Sequence, residues 1–218
     1  MKTMSEQDII DSALAEAIRR GADVADTLPA AELINCPSAE ADGNLGTERD
    51  HGTYIILGLF HDPAMPEMDY WEEGSGTPGN RQLGAIGRAI VRWLRETHGI
   101  EAELIPYQLY DGGIYLKDTA LLAGIGTMGR NNQVLVPGYG PRIRFRAVWA
   151  DIESDPPATI TSEPPCRRCA GHCRRACPMG AFETGGFSRE RCMQRMDADK
   201  GRNSETIDHC RACELACP

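Results

Sequence analysis

No apolar stretch in this chain approaches the roughly 20 residues needed to cross a bilayer, so no membrane span or membrane partner is expected. The segment Met1 to Arg20 carries polar and acidic residues where a secretory leader would place its apolar region, and no twin-arginine signal is visible. A cytoplasmic protein is the expectation. Net positive charge is missing as well: 23 Lys and Arg stand against 32 Asp and Glu, a formal charge of −9. Residues 1–150 hold 13 against 21, and residues 151–218 hold 10 against 11. Such a chain is a poor non-specific binder of nucleic acid, whose affinity comes mainly from Lys and Arg neutralising phosphates. Tandem repeats are also absent. The 218 residues, 41% apolar and 25% charged, describe an ordinary globular protein with room for a medium domain and a small appendage.

What the chain has in excess is cysteine. Eight of its nine cysteines fall between Cys166 and Cys217, and Cys36 stands apart. Disulfides fit small secreted scaffolds, and no export signal supports that here. The first run is Cys166-x2-Cys169-x3-Cys173-x3-Cys177-Pro178, the second is Cys210-x2-Cys213-x3-Cys217-Pro218, and Cys192 lies between them. A [4Fe–4S] cubane needs four converging thiolates, and in two-cluster ferredoxins the fourth cysteine of one run serves the other cluster. That exchange gives one cluster Cys166, Cys169, Cys173 and Cys217, and the other Cys177, Cys192, Cys210 and Cys213. The spacing between Cys169 and Cys173 is one residue longer than in the bacterial run, and Gly171 eases the wider turn. Two all-cysteine zinc sites are the alternative. The Cys-Pro endings are not something zinc demands, so iron–sulfur is preferred. The arginines around the runs, among them Arg167, Arg174 and Arg211, either tune cluster potential or simply neutralise the module. Cys36 reads as a buried or idle thiol.

Ahead of the cysteines, spacing predicts a helix over 5–20 with Ser5 capping it, and Asp8 three residues on is a near-miss of the capping box. Residues 21–52 show little periodicity. Tyr54 to Phe60 reads as a strand, 61–80 as a long loop, and 81–98 as a helix ended by Gly99. Glu103 to Tyr110 reads as a strand, Asp118 as the cap of a short helix through Ala123, and Ile143 to Ala150 as a strand. Four prolines within 154–165 suggest a hinge.

The segment KDTALLAGIGTMGRNNQVLVPGYGPRIRFR contains Gly124-x-Gly126-x-x-Gly129, but it follows a helix-like stretch, which argues against a dinucleotide fingerprint. These glycines either let backbone amides approach a large ligand or form a turn that only packs.

The stretch AGIGTMGRNN…PGYGPRIR resembles the cobalamin-contacting loop of reductive dehalogenases and epoxyqueuosine reductases. The cysteine block, with CPMGAF from Cys177 and a closing CxxCxxxCP, resembles that of the epoxyqueuosine reductases. The resemblance covers residues 100–218 and implies an α+β fold. A nitroreductase-like α/β domain (1–153) would hold cobalamin and be followed by a small ferredoxin-like domain with two [4Fe–4S] clusters (154–218). By the same resemblance Gly124, Gly126, Met128, Gly129, Arg130, Asn131, Gly138, Tyr139 and Gly140 would line the corrin. Asp111 and Tyr110 are the candidate proton donors, with Tyr107 and Tyr115 nearby. The chain departs from both families in stopping at Pro218, without the helical-repeat region of the epoxyqueuosine reductases, and is expected to be a minimal relative. The expected function is a cobalamin-dependent iron–sulfur oxidoreductase passing single electrons from the clusters to a corrinoid that reduces a small substrate. Its expected donor is a ferredoxin or flavodoxin. The alternative is an electron-transfer protein, such as a reductive activator of corrinoid proteins.

Overall fold

The computed structural model describes residues 4–157, 165–183, 186–202 and 206–218; most of the proline-rich stretch expected as a hinge lies outside them. Helix α1 (Glu6–Arg19) opens with a closed capping box. Asp8 N–H donates to Ser5 Oγ (3.1 Å), and Ser5 N–H donates back to Asp8 Oδ2 (3.0 Å). The shorter aspartate therefore does what the capping box usually assigns to Glu or Gln. Its buried stripe is Ile10, Ala13 and Ala17, spaced to face one side.

The stretch without periodicity is not bare. It contains β1 (Val24–Pro29), a 3-10 turn (Ala30–Leu33) and α2 (Pro37–Asp42). β1 escapes a pattern reading because Asp26 and Pro29 interrupt it, and its place at the edge of the sheet tolerates both. β2 (Thr53–Phe60) matches expectation and is buried along nearly its whole length.

The loop expected over 61–80 is corrected. Pro66–Asp69 forms a 3-10 turn, β3 spans Tyr70–Glu72, and α3 (Pro78–Trp93) begins earlier than its apolar periodicity indicates. Thr77 Oγ1 accepts Asn80 N–H (3.1 Å), with Pro78 at the first helical position, a start signal that carries no hydrophobic period. α3 runs into a π-helical turn, Leu94–His98, closed by Gly99 in the left-handed conformation (φ 68°).

The strand expected over 103–110 shrinks to β4 (Ala102–Leu104), because Leu109–Asp111 is a 3-10 turn. Asp118 does not cap its helix. It lies inside α4 (Leu116–Leu122), buried, and accepts the distant Ser38 N–H (3.2 Å). Then follow β5 (Thr127–Met128), β6 (Val134–Leu135) and β7 (Ile143–Ala150), the last as expected. The cysteine segment holds α5 (His172–Ala176), α6 (Arg189–Lys200), β8 (Thr206–Asp208) and α7 (Ala212–Leu215).

By contacts the chain forms two compact units. The first comprises Met1–Leu59, Gln82–Ile125 and Arg144–Ile160 and carries a mixed-in-sequence sheet of order β1-β2-β7-β4. β1 pairs antiparallel with β2 (Val24 opposite Gly58), and β4 with β7 (Ala102 opposite Ala150). Its core includes Leu28, Ile55, Leu57, Leu83, Ile90 and Val148, all 1% exposed or less. The second unit comprises Phe60–Arg81, Gly126–Ile143 and Thr161–Pro218. It holds the antiparallel pairs β3–β8 and β5–β6 and all eight clustered cysteines. Its apolar core is thin, made of residues such as Val134, Leu135, Phe182 and Ile207. Among the described residues, no helix is long and apolar enough to cross a membrane.

Candidate functional site

In the second unit the chain bends repeatedly to bring cysteines together. Cys166 lies in a 3-10 turn, and Gly171, in the left-handed conformation, redirects the chain into α5, which carries Cys173. Cys177 leaves α5 with extended backbone, as Pro178 after it requires. Cys192 projects from α6, and α5 packs on α7, where Cys213 sits.

The thiols influence one another in two sets. Burial pushes Cys173 up, and the neighbouring Cys166 and Cys169 push it further. Burial also raises Cys217, with Cys173, Cys166 and Cys169 adding to it and Arg142 opposing. Cys213 is pushed up to about 12, first by burial and then by Cys192, Cys177 and Cys210. Neighbouring sulfurs thus oppose ionisation of the buried thiols Cys173, Cys213 and Cys217, and a bound cationic centre would favour their thiolates. Among the described residues no three His, Cys, Asp or Glu side chains close on a point as the ligands of a single ion do.

Backbone and side chains fix these runs. The N–H groups of Arg130, Gly171 and Ala181 donate to the sulfurs of Cys166, Cys169 and Cys177, each at 3.4 Å. Buried Asp199 accepts Cys210 N–H (3.1 Å) and pairs with Arg195 (2.9 Å). Arg211, between two cysteines, is gripped by Asp69 and Glu214 at 2.5 Å each and reaches the His61 carbonyl. His61, 1% exposed, sets Nδ1 2.9 Å from Asp69. Its ring lies so close to Gly79 that a Cβ there would sit 2.3 Å from it. Sequence reading missed His61, Asp69, Asp199 and Glu214. The only signal available was charge within ligand runs and a histidine in a segment read as loop.

The glycine-rich segment divides between the units. Gly124 belongs to the first, whereas Gly126, Met128, Gly129, Arg130, Asn131, Gly138, Tyr139 and Gly140 belong to the second. Gly126 is required by the β5–β6 hairpin itself, since a Cβ would lie 2.4 Å from the Leu135 carbonyl oxygen. Asn131, 2% exposed, does not point outward. Its Oδ1 accepts Gln133 N–H (3.3 Å) and its Nδ2 donates to the Cys213 carbonyl (3.5 Å). Tyr139 packs on Phe60, ring centres 5.5 Å apart, and Arg142 donates to the Cys217 carbonyl (3.3 Å). Much of this loop thus buttresses the cysteine runs. Met128 stays 39% exposed, and the space beside Gly138 is open.

The candidate proton donors lie in the first unit. Tyr110 is 83% exposed and Asp111, at the end of its 3-10 turn, is exposed too. Tyr110 rims a cavity of about 710 Å³ lined also by Thr47, Arg49, Tyr54, Glu103 and Tyr115; Asp111 is not in its wall. Inside, the hydroxyls of Thr47 and Tyr54 share a 2.5 Å hydrogen bond. Arg49 is paired with Glu103 and lies 4.1 Å over the Trp149 ring. This volume suits a small molecule. Cys36 is buried, and burial, aided by nearby Asp118, keeps its thiol protonated.

The mixed α+β architecture is that of two groups of reductases, the epoxyqueuosine reductases and the reductive dehalogenases. Epoxyqueuosine reductase from Streptococcus thermophilus matches 97% of this chain with a TM-score of 0.66 and 16% identity. The catabolic reductive dehalogenase NpRdhA, in complex with 3-bromo-4-hydroxybenzoic acid, matches 100% with a TM-score of 0.74 and 20% identity. A reductive dehalogenase whose structure suggests a mechanism for B12-dependent dehalogenation matches with a TM-score of 0.70 and 17% identity. The chain spans 66% of the first of these proteins and 32% of each dehalogenase. No protein-family model matches the chain, and no curated protein sequence matches it.

Proposed function

We propose that this protein is a cytoplasmic oxidoreductase whose second unit holds two [4Fe–4S] clusters and works with a corrinoid to reduce a small molecule. What supports this reading is that Cys166, Cys169 and Cys173 act electrostatically on Cys217, and Cys177, Cys192 and Cys210 on Cys213, within a fold similar to that of a reductive dehalogenase studied for B12-dependent dehalogenation. In this reading 1–153 is the nitroreductase-like domain and 154–218 the ferredoxin-like one, with 60–81 and 126–143 lending their packing to the cysteine-bearing unit.

Cys166, Cys169, Cys173 and Cys217 would hold one cluster, and Cys177, Cys192, Cys210 and Cys213 the other. The corrinoid would lie in the second unit, against Met128, Gly129, Arg130, Gly138, Tyr139 and Gly140. Asn131 and Gly126 are already engaged by protein, so their part is to shape the loop. When bound, these groups supply one-electron transfer and the bond-breaking chemistry at the substrate. The chain itself positions them: Asp199 and Arg211 fix the Cys210 run, and Arg130 and Asn131 tie the glycine loop to the cysteines. The first unit's cavity, edged by Tyr110, would receive a small molecule, with Tyr110 or the adjacent Asp111 as the candidate proton source. The electron donor would be a ferredoxin or flavodoxin.

Anaerobic titration of the cluster-loaded protein with cob(II)alamin, followed by optical and EPR spectroscopy, tests the reading. Saturable binding with loss of the lower-base signal supports it. An unchanged corrinoid spectrum with two reducible clusters present overturns the corrinoid part. That outcome would favour the second reading, an electron-transfer protein that reduces corrinoid on other proteins. The exposure of both Tyr110 and Asp111 is the observation on its side.

A further inference from the structure

Arginines flank both quartets, but their partners differ in kind. Three of the arginines around Cys166, Cys169, Cys173 and Cys217 donate to uncharged acceptors. Arg142 reaches the Cys217 carbonyl (3.3 and 3.5 Å), and Arg174 reaches the Phe182 carbonyl (2.6 Å). Arg175 donates to the Ala170 carbonyl and lies 3.1 Å from His172 Nδ1. Among the described residues, none of these three guanidiniums has a carboxylate partner.

Around Cys177, Cys192, Cys210 and Cys213 the opposite holds. Arg191 pairs with Glu183 (3.0 Å), Arg195 and Arg202 with Asp199 (2.9 and 3.4 Å), and Arg211 with Asp69 and Glu214 (2.5 Å each). Asp69 also faces His61. Asp199 and Glu214 are 5% and 4% exposed, so water screens them little. Reduction adds a negative charge to a cluster, and positive charge or N–H donors at the sulfurs favour it.

Resting on the two-cluster reading, we propose that Arg142, with Arg174 and Arg175, makes the Cys166 quartet the higher-potential site, where the first electron entering the oxidised protein resides. That electron comes from a low-potential one-electron donor, which is oxidised by one electron as one cluster gains one. The Cys177 quartet, its charges already compensated, is the lower-potential site. Arg142 is a tuning residue acting through the Cys217 segment.

The test is a potentiometric titration of the cluster-loaded full chain followed by EPR, with dithionite as reductant. Cys192→Ser assigns the signals, because it touches only the second quartet. The signal unaltered by that change is expected to develop first. Arg142→Gln is expected to shift the partition of the electron at least about tenfold away from its quartet, equivalent to about 59 mV for one electron. Arg142→Lys, which keeps the charge, is expected to restore most of it. Glu214→Gln is expected to raise the other potential and narrow the gap, and it decides the matter if Arg142→Gln loses its cluster. Reversed or equal potentials, or identical effects of the Gln and Lys variants, overturn the inference alone. A chain that takes up no iron and sulfide overturns the two-cluster reading with it.

Discussion

Arg211 and Asp69 form an ion pair, Nη1 to Oδ2 2.5 Å, that ties the segment between Cys210 and Cys213 to the turn preceding β3. Both side chains are about a tenth exposed. Removing Arg211 leaves Asp69 and the buried Glu214 without their shared cation, at a cost of about 3–5 kcal/mol. Arg211→Met should therefore destabilise the second unit by that order in anaerobic urea unfolding followed by circular dichroism. Arg211→Met combined with Asp69→Asn and Glu214→Gln should recover much of the loss. A change under about 1 kcal/mol in the single variant would show the pair to be dispensable.

Cysteine substitutions should separate the quartets from Cys36. Cys36→Ser should leave iron and sulfide near eight each per chain, because Cys36 lies in the first unit, away from both sets. Cys173→Ser and Cys213→Ser should each lower iron to about four and remove a different EPR signal. Loss of the same signal in both variants would refute the division.

Asp26 gives a pH dependence with a definite sign. Burial raises its carboxyl above the usual 3.8, and the Thr27 N–H opposes this only in part. A group bound to its proton more tightly in the folded state supports folding below its unfolded pKa. That support is lost as pH rises through the folded value. Asp26→Asn, which keeps the acceptor for Thr27, should therefore be more stable than the parent at pH 7 and equal to it near pH 3. Thermal melts across that range would show the difference growing with pH; a constant offset would contradict the account.

Gly126→Ala should weaken the β5–β6 hairpin, since the new Cβ would meet the Leu135 carbonyl oxygen at 2.4 Å. Backbone displacement of this kind costs about 1–3 kcal/mol. The loss should appear in unfolding experiments without any corrinoid. A variant as stable as the parent but unable to bind cob(II)alamin would instead make Gly126 a ligand contact.

On the two-cluster reading, removing the clusters should affect the two units unequally. The first is held by a sheet and long helices, the second by a thin apolar core and eight mutually coupled thiols. Binding energy that exists only in the folded state is folding energy. Chelation under acid or oxidant should raise amide exchange in α5 and α7 while β2 and α3 stay protected. Uniform loss of protection would show that the units unfold as one.

The strongly patterned elements were readable from sequence: α1, β2, α3 and β7 each declare a continuous apolar run or a helical stripe. β1 was not, because Asp26 and Pro29 break its alternation at a sheet edge where neither is costly. The early start of α3 was hidden in Thr77-Pro78, which signals by capping rather than by hydrophobicity. Asp118 looked like a cap because aspartate favours that position, but its long-range bond to Ser38 N–H holds it inside α4.

The sequence by itself determined the spacing of the cysteine runs and their Cys-Pro endings, which are local properties of the chain. It also carried the glycine-rich motif and the absence of an apolar run long enough to span a bilayer. Only the tertiary structure decided what surrounds the cysteines. Residues 60–81 and 126–143 pack into the same unit as 161–218, bringing Asp69, His61, Asn131 and Arg142 to the ligand segments from as far as 150 positions away. Burial and charge pairing depend on such distant neighbours, so whether an arginine meets a carboxylate or a carbonyl cannot be read from its own stretch of sequence.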